Sequence, residues 1–140
     1  MLNTIRLILY AICIGLIFSL FFAKQAEGDD EIVIVVKQDI VKQDIKVYAF
    51  EQVLEKWGSN QWDAFDKIIE KESRWRDYVK NPKSSAYGLG QTMMSLYEKD
   101  LDADFRNNPY KQIDWTISYI ESRYKTPQKA LQFHLKNNWY

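Results

Sequence analysis

The stretch that decides the fold is QWDAFDKIIEKE, which occupies residues 61–72. Three large apolar side chains and one carboxyl recur in it at i, i+3, i+7 and i+10, and these are Trp62, Phe65, Ile69 and Glu72. This spacing places the four side chains on one face of a helix. Asn60 precedes the run and is expected to cap the helix at its N-terminus. The pattern therefore predicts a core-facing helix that ends in a carboxylate.

Two more helices are expected on the C-terminal side. The first covers residues 110–124, and its apolar face is formed by Ile113, Ile117, Ile120 and Tyr124. The second begins after Thr126, a capping residue followed by Pro127 at the first helical position, and continues to about residue 136. Pro82, Gly88 and Gly90 punctuate the irregular stretch between the first two helices. No strand pattern dominates, so we expect a mainly α-helical fold.

Composition limits the class of protein. A chain of 140 residues is about the size of one ordinary domain, and 46% hydrophobic residues are too many for a disordered chain. From Lys24 onward eighteen basic residues face nineteen acidic ones, so a nucleic-acid partner is not expected. The single cysteine is Cys13 and the single histidine is His134. We therefore expect no metal site, no cofactor and no thiol nucleophile.

The N-terminal segment predicts export or membrane anchoring. Residues 7–23 contain no charge, follow Arg6 and precede Lys24. A run that is apolar on every face suits lipid better than one side of a core, and Arg6 is expected to stay in the cytoplasm. Ala26 and Gly28 are small residues at the spacing of a signal-peptidase site. Residues 1–23 are therefore interpreted as either a signal peptide or a retained transmembrane helix, and both alternatives stay open.

Residues 24–46 are interpreted as a linker or spacer. They contain the pentapeptide VKQDI twice, at residues 36–40 and 41–45, and a period of five fits neither a helix nor a strand well. The alternative is an amphipathic helix or strand that covers the domain with its apolar residues, which are Val36, Ile40, Val41 and Ile45. Residues 47–140 are then expected to form the compact domain.

Glu72 is the candidate for chemistry, because it is a carboxylate at the end of an otherwise apolar stripe. Partial desolvation disfavours the charged form of a carboxyl and raises its pKa, which suits a general acid. The competing interpretation is structural: with nineteen acidic residues in the chain, one can fall on an apolar stripe by chance and pair with a lysine or arginine.

The motifs that follow Glu72 favour the catalytic interpretation. They are Glu-Ser-Arg-Trp at 72–75, Ser-Ala-Tyr-Gly-Leu-Gly-Gln at 85–91, NPYKQIDW at 108–115, YIESRY at 119–124 and the final Trp-Tyr at 139–140. In order and spacing, residues 62–140 resemble the lysozyme-like lytic transglycosylases, which include the goose-type and SLT-like folds and the domains of resuscitation-promoting and aggregation-promoting factors. The resemblance implies a lysozyme-like α-helical domain.

The resemblance also implies the roles of individual residues. Glu72 matches the acid that protonates the glycosidic oxygen between N-acetylmuramic acid and N-acetylglucosamine, and that then acts as base toward the C6 hydroxyl. The expected substrate contacts are Ser73, Ser85, Tyr87, Gly88, Gln91, Tyr119 and His134. Gly88 and Gly90 are expected to let the backbone approach a glycan, and the amide of Gln91 to contact sugar or to fix the loop. The tyrosines are expected to stack on sugar rings or to bond toward Glu72.

Other residues are expected to lie outside the chemistry. Trp62 and Trp115 are interpreted as core. Asp77 lies five residues beyond Glu72, which on a continued helix is a rotation of about 140°, so it is interpreted as surface. Asp102 and Asp104 stay open as groups that activate water.

We therefore expect a lytic transglycosylase that acts on peptidoglycan outside the cytoplasmic membrane, as a monomer, held to the membrane by residues 7–23 if these are retained. A muramidase that uses water with the same Glu72 is the enzymatic alternative. A non-catalytic wall-binding or scaffold module is the alternative of another class.

Overall fold

The computed structural model describes residues 30–139 of the chain. The predicted signal peptide or membrane anchor at residues 1–23 lies outside the described residues. Within residues 30–139, no helix has the length and apolar character needed to cross a membrane. Residues 38–139 belong to one unit of the fold, and residues 30–37 belong to another. In residues 30–37, the side chains of Val33, Ile34 and Val35 are exposed.

The first helix, α1, runs from Asp30 to Trp57 and includes both copies of the pentapeptide. The chain is therefore helical from residue 30 onward, through the part for which we expect a spacer. Ile45, Ala49 and Val53 recur at every fourth residue and are fully buried in the core. The core thus begins at Ile45, two residues before the predicted start of the domain.

The second helix, α2, runs from Trp62 to Glu72, as the apolar stripe predicts. The predicted cap is wrong: Asn60 lies inside a 3-10 turn, Ser59–Gln61, and Gln61 occupies the N-cap position without a capping hydrogen bond from its side chain. The side-chain oxygen Oε1 of Gln61 instead accepts a hydrogen bond of 3.1 Å from the backbone N–H of Gln128. This bond joins the start of α2 to the first turn of the last helix.

The two C-terminal helices confirm the prediction and the Thr126 cap, and the structure adds a cap at Asn108. The short helix Met94–Tyr97 is α3. The two C-terminal helices follow it: α4 runs from Pro109 to Tyr124, and α5 runs from Pro127 to Asn137. The Asn108 side chain accepts hydrogen bonds from two backbone N–H groups of the first turn of α4, and the Thr126 side chain accepts one in α5. Local capping chemistry therefore sets both helix starts.

The chain between α2 and α4 is irregular. It contains a two-stranded antiparallel sheet in which β1, Ala86–Tyr87, pairs with β2, Thr92–Met93. A 3-10 turn, Phe105–Asn107, precedes α4. The residues described are thus mainly helical, as expected, and α5 packs against both α2 and α4. The fully buried core is Ile45, Ala49, Val53, Phe65, Ile68, Ile69, Trp75, Leu89, Ile113, Ile117, Ile120 and Ala130.

Candidate active site

Glu72 is the last residue of α2, and the residues after it fix the helix end. The backbone N–H of Ser73 donates to the carbonyl oxygen of Ile69 at 3.0 Å, and the Ser73 hydroxyl donates to the same oxygen at 3.3 Å. Arg74 and Trp75 then adopt positive φ angles of 56° and 60°, so the helix cannot continue. Ser73 is buried, and its hydroxyl serves the helix end.

The Glu72 carboxyl lies against His134. Its Oε1 atom is 2.8 Å from Nε2 of His134, and the two side chains are only 17% and 11% exposed. Burial raises the pKa of Glu72 above its ordinary value, and this effect exceeds the opposing influence of His134 and Lys71. Among residues 33–139, no lysine or arginine forms an ion pair with this carboxyl. The carboxyl is therefore suited to hold a proton.

His134 reaches Glu72 because α5 packs against α2. Pro127, Ala130 and His134 are the buried residues of α5, at i, i+3 and i+7 on one face. The sequence marks His134 as a candidate contact for sugar, and the structure places it beside the candidate acid.

The loop that carries Gly88 is held by a buried glutamine that the sequence analysis missed. Gln112 is 1% exposed. Its Oε1 atom accepts from the backbone N–H of Leu89 at 2.8 Å, and its Nε2 atom donates to the carbonyl oxygens of Asp77 and Phe105 at 3.1 and 3.2 Å. One side chain of α4 thus ties three separate parts of the irregular stretch together.

Gly88 is required by this arrangement. It has a φ of 78°, and a Cβ atom at this position would lie 2.3 Å from Oε1 of Gln112. The expected reason for Gly88 was the approach of a glycan, but the neighbour that excludes a side chain is Gln112. The sequence pattern does not single out Gln112, which is an amide just before Ile113 on the predicted helix.

Gln91 closes the same loop from the other side. Its Nε2 atom donates to the carbonyl oxygens of Val79 at 3.1 Å and Gly88 at 3.0 Å. The Gln91 amide was expected either to contact sugar or to fix the loop. Its nitrogen fixes the loop.

A cavity of about 50 Å³ lies next to this loop. It is lined by Gly90, Gln91, Thr92, Met93, Tyr97, Trp115, Thr116 and Tyr119. The structure thus brings together the predicted contacts Gln91 and Tyr119. Trp115 was expected in the core, but it is only partly buried and lines the cavity, where its ring lies 5.3 Å from that of Tyr97. Trp62, the other expected core tryptophan, packs against the core cluster.

The rings of the cavity wall continue as an aromatic row that includes side chains of α3, α4 and α5 and ends at Trp139. Successive ring centroids lie 4.8 to 6.3 Å apart in the order Trp115, Tyr97, Tyr119, Tyr124, Phe133, Trp139. The Arg123 guanidinium lies 5.2 to 5.9 Å from the ring centroids of Tyr119, Tyr124 and Trp139. The aromatic row includes Phe133, which directly precedes His134 in α5. His134 is the residue that contacts Glu72.

Two predicted contacts serve local structure. The Ser85 hydroxyl lies 2.7 Å from that of Ser95 and accepts the backbone N–H of the same residue at 3.1 Å. The Tyr87 hydroxyl donates to the carbonyl oxygen of Arg106 at 3.1 Å, and the Arg106 guanidinium lies over the Tyr87 ring. Neither hydroxyl bonds to Glu72.

The aspartates considered as second acids do not join Glu72. Asp77 does not continue the helix, because α2 ends at Glu72, so the rotation expected for it does not apply. Asp102 bonds to Lys111 at 2.8 Å, which lowers the pKa of Asp102, and Asp104 lies 3.7 Å from the same ammonium. Residues 30–139 contain no group of three or more histidine, cysteine or acidic side chains that could hold a metal ion.

Comparison with known proteins identifies a family for most of the described residues. No curated protein and no solved structure gives a significant match to the chain. The family described as the transglycosylase SLT domain matches residues 50–138, which include α2, α4, α5, Glu72 and His134. The match covers more than half of the sequence and confirms the lysozyme-like lytic transglycosylase resemblance, so this chain belongs to the transglycosylase SLT domain family.

Proposed function

We propose that this protein is a peptidoglycan lytic transglycosylase that cleaves the β-1,4 bond between N-acetylmuramic acid and N-acetylglucosamine. The observation that carries the proposal is the buried Glu72 carboxyl at the end of α2, whose pKa lies above its ordinary value. Such a carboxyl keeps its proton at a pH at which an exposed glutamate has lost it. Family membership supplies the substrate class, which is peptidoglycan.

Glu72 performs both proton transfers of the proposed reaction. As acid, it gives its proton to the glycosidic oxygen while the bond from C1 of the muramoyl sugar to that oxygen breaks, which leaves an oxocarbenium-like centre at C1. As carboxylate, it then takes the proton of the C6 hydroxyl while that oxygen bonds to C1. The products are a 1,6-anhydromuramoyl end and a free 4-hydroxyl, and Glu72 is again protonated.

The aromatic row is the surface we assign to the glycan. Ring faces such as those of Trp115 and Tyr119 stack on pyranose rings. The Oε1 atom of Gln91 is an acceptor at the cavity for a sugar hydroxyl, since the amide nitrogen already bonds within the loop. The exposed guanidinium of Arg123 suits the carboxylates of peptide stems.

The site of action follows from the substrate. We propose that the enzyme works outside the cytoplasmic membrane, where glycan strands are found, and that residues 7–23 direct or anchor it there. Fractionation of cells that express the full chain tests this proposal. Recovery of the chain in the cytoplasm would contradict it.

The decisive experiment digests purified sacculi with the full-length chain and identifies the released muropeptides by mass spectrometry. Anhydro ends are expected for the proposed activity, whereas reducing ends would indicate a muramidase that uses water. Binding without release of muropeptides would indicate a wall-binding module.

The variant Glu72→Gln is expected to lower turnover at least about 100-fold, because a neutral amide cannot donate the proton. Its matched control is Glu70→Gln, since Glu70 is an exposed residue of the same helix. Unchanged lysis by Glu72→Gln in the presence of a normal melting temperature would exclude Glu72 as the acid.

A further inference from the structure

The contact between Glu72 and His134 distinguishes the two oxygens of the carboxyl. Oε1 is 2.8 Å from Nε2 of His134, so this oxygen faces the imidazole. Both side chains are largely buried, and they are held in place by the packing of α2 against α5. Oε2 is the oxygen that does not face His134, and in the proposed reaction it is the one that meets the glycosidic bond.

After the first proton transfer, Glu72 is a carboxylate, and His134 must donate the hydrogen bond between the two side chains. A carboxylate can only accept hydrogen bonds, so Nε2 must carry the hydrogen when Glu72 is ionised. If Nε2 keeps this hydrogen throughout, the proton of the neutral carboxyl resides on Oε2. The imidazole then orients the acid.

We propose that His134 is a positioning residue that keeps the reactive proton of Glu72 on Oε2, and that protonation of His134 itself stops turnover at acidic pH. The inference rests on the proposed role of Glu72 as acid and base. His134 touches Glu72 and exchanges no proton with the sugar in this scheme.

The two steps of the reaction respond differently to an imidazolium. In the first step the proton leaves Oε2 for the glycosidic oxygen, and the Nε2–H bond to Oε1 stabilises the carboxylate that forms. In the second step the same carboxylate must take the proton of the C6 hydroxyl. An imidazolium beside it stabilises the anion and weakens it as a base, so the second step fails when His134 is charged.

Charged and titratable groups also lie on the elements near the pair. Lys71 on α2 is the further charge that acts on Glu72, and Lys136 lies near the end of α5. From α4, Tyr124 packs on Phe133 beside His134, and Arg123 lies over Tyr124. The 3-10 turn before α2 has no charged residue. The imidazole is the group in direct contact with the Glu72 carboxyl, so the proposal assigns the loss of turnover at acidic pH to His134.

The first test compares the pH dependence of kcat for the wild-type chain, His134→Gln and His134→Ala. The wild-type profile is expected to be bell-shaped. The Gln amide keeps an N–H donor but does not titrate, so His134→Gln should lose the acidic limb and stay within about tenfold of the wild-type maximum. His134→Ala should lower kcat by about 100-fold with little change in KM, because the acid is no longer oriented.

The matched control is Gln132→Ala, since Gln132 is an exposed residue of α5. It should leave the wild-type profile unchanged. An acidic limb that persists in His134→Gln overturns the proposal. A loss of activity by His134→Ala at all pH values, with the limb intact in His134→Gln, would mean that His134 only supports the fold.

A second test does not depend on catalysis. His134 is the single histidine of the chain, so its imidazole NMR signals are unambiguous. The imidazole 15N signals should report the hydrogen on Nε2 in the wild-type chain; they should shift in Glu72→Gln, because the carboxyl that contacts the ring is replaced, and should stay in Glu70→Gln. If this shift is seen while wild-type enzyme releases no muropeptides, the proposed function fails and the coupled pair stands. If no shift is seen, the proposal for His134 is overturned.

Discussion

Gln112 carries the conformation of the loop that lines the cavity. A single amide satisfies one backbone N–H and two backbone carbonyl oxygens from three segments, in a place that water does not reach. Buried backbone groups without partners cost about 1–3 kcal/mol each. The cavity wall therefore depends on a residue that does not line it.

The substitution Gly88→Ala tests this arrangement. The new Cβ would lie 2.3 Å from Oε1 of Gln112 at a φ of 78°. We expect a loss of roughly 2–4 kcal/mol in the free energy of unfolding, from strain and overpacking together. Urea denaturation measures it, with Gly90→Ala as the control, since φ at Gly90 is not positive. Equal losses for the two variants would contradict the explanation.

At the residue scale, the sequence singled out Glu72 as the candidate acid but did not predict the groups around it. Glu72 could be found because its neighbours on the stripe are apolar and its motif is local. The partner of Glu72 lies 62 residues away, and its position depends on how α5 packs on α2. Gln112 was missed because an amide on a helix gives no indication of which backbone groups it will meet.

At the scale of elements, α1 shows how a short sequence repeat can hide the pattern of a helix. Five residues rotate a helix by about 140°, so equivalent residues of the two pentapeptides point in different directions. Ile40 is 40% exposed and Ile45 is 1% exposed. A period of five therefore hides the helical pattern from a search for apolar faces.

The two isoleucines form a matched pair for measurement. Ile45→Ala should lower the free energy of unfolding by about 2–5 kcal/mol, because it opens a cavity in the core. Ile40→Ala should change it by no more than about 0.5 kcal/mol, because the side chain is in water. Thermal unfolding of both variants measures the difference. Similar values for both would show that Ile45 is not in the core.

The other helices show which signals are sufficient. α4 and α5 were predicted closely, since an apolar face marks α4, and Thr126 and Pro127 mark the start of α5 locally. The cap of α2 was predicted wrongly, because Asn60 lies in a 3-10 turn before the helix and Gln61 of this turn bonds to α5. Long-range bonds of this kind override capping preferences.

At the scale of the whole molecule, the buried carboxyl couples function to stability. The pKa of Glu72 is raised in the folded state, so the folded chain holds this proton more tightly than the unfolded chain. The contribution of Glu72 to stability is present below its unfolded pKa and is lost as the pH rises through its folded pKa. Ionisation of Glu72 thus destabilises the fold.

The variant Glu72→Gln removes this ionisation. We expect it to melt a few degrees above the wild-type chain at pH 8, and the gain to shrink at pH 5. Scanning calorimetry at the two pH values measures both differences, with Glu70→Gln as the reference. A gain that is larger at pH 5 would mean that the pKa of Glu72 is not raised by folding.

The loop that carries Gly88 is attached to α4, and α4 also forms part of the cavity wall. Gln112 belongs to the helix that also supplies Trp115, Thr116 and Tyr119 to the cavity, so the loop and the aromatic side share one anchor. We expect the two sides to move as one body, without the opening and closing of a jaw. If the proposed function holds, we expect the sugar ring to adjust its shape to this rigid site, which favours the flattened geometry through which glycosidic bonds break.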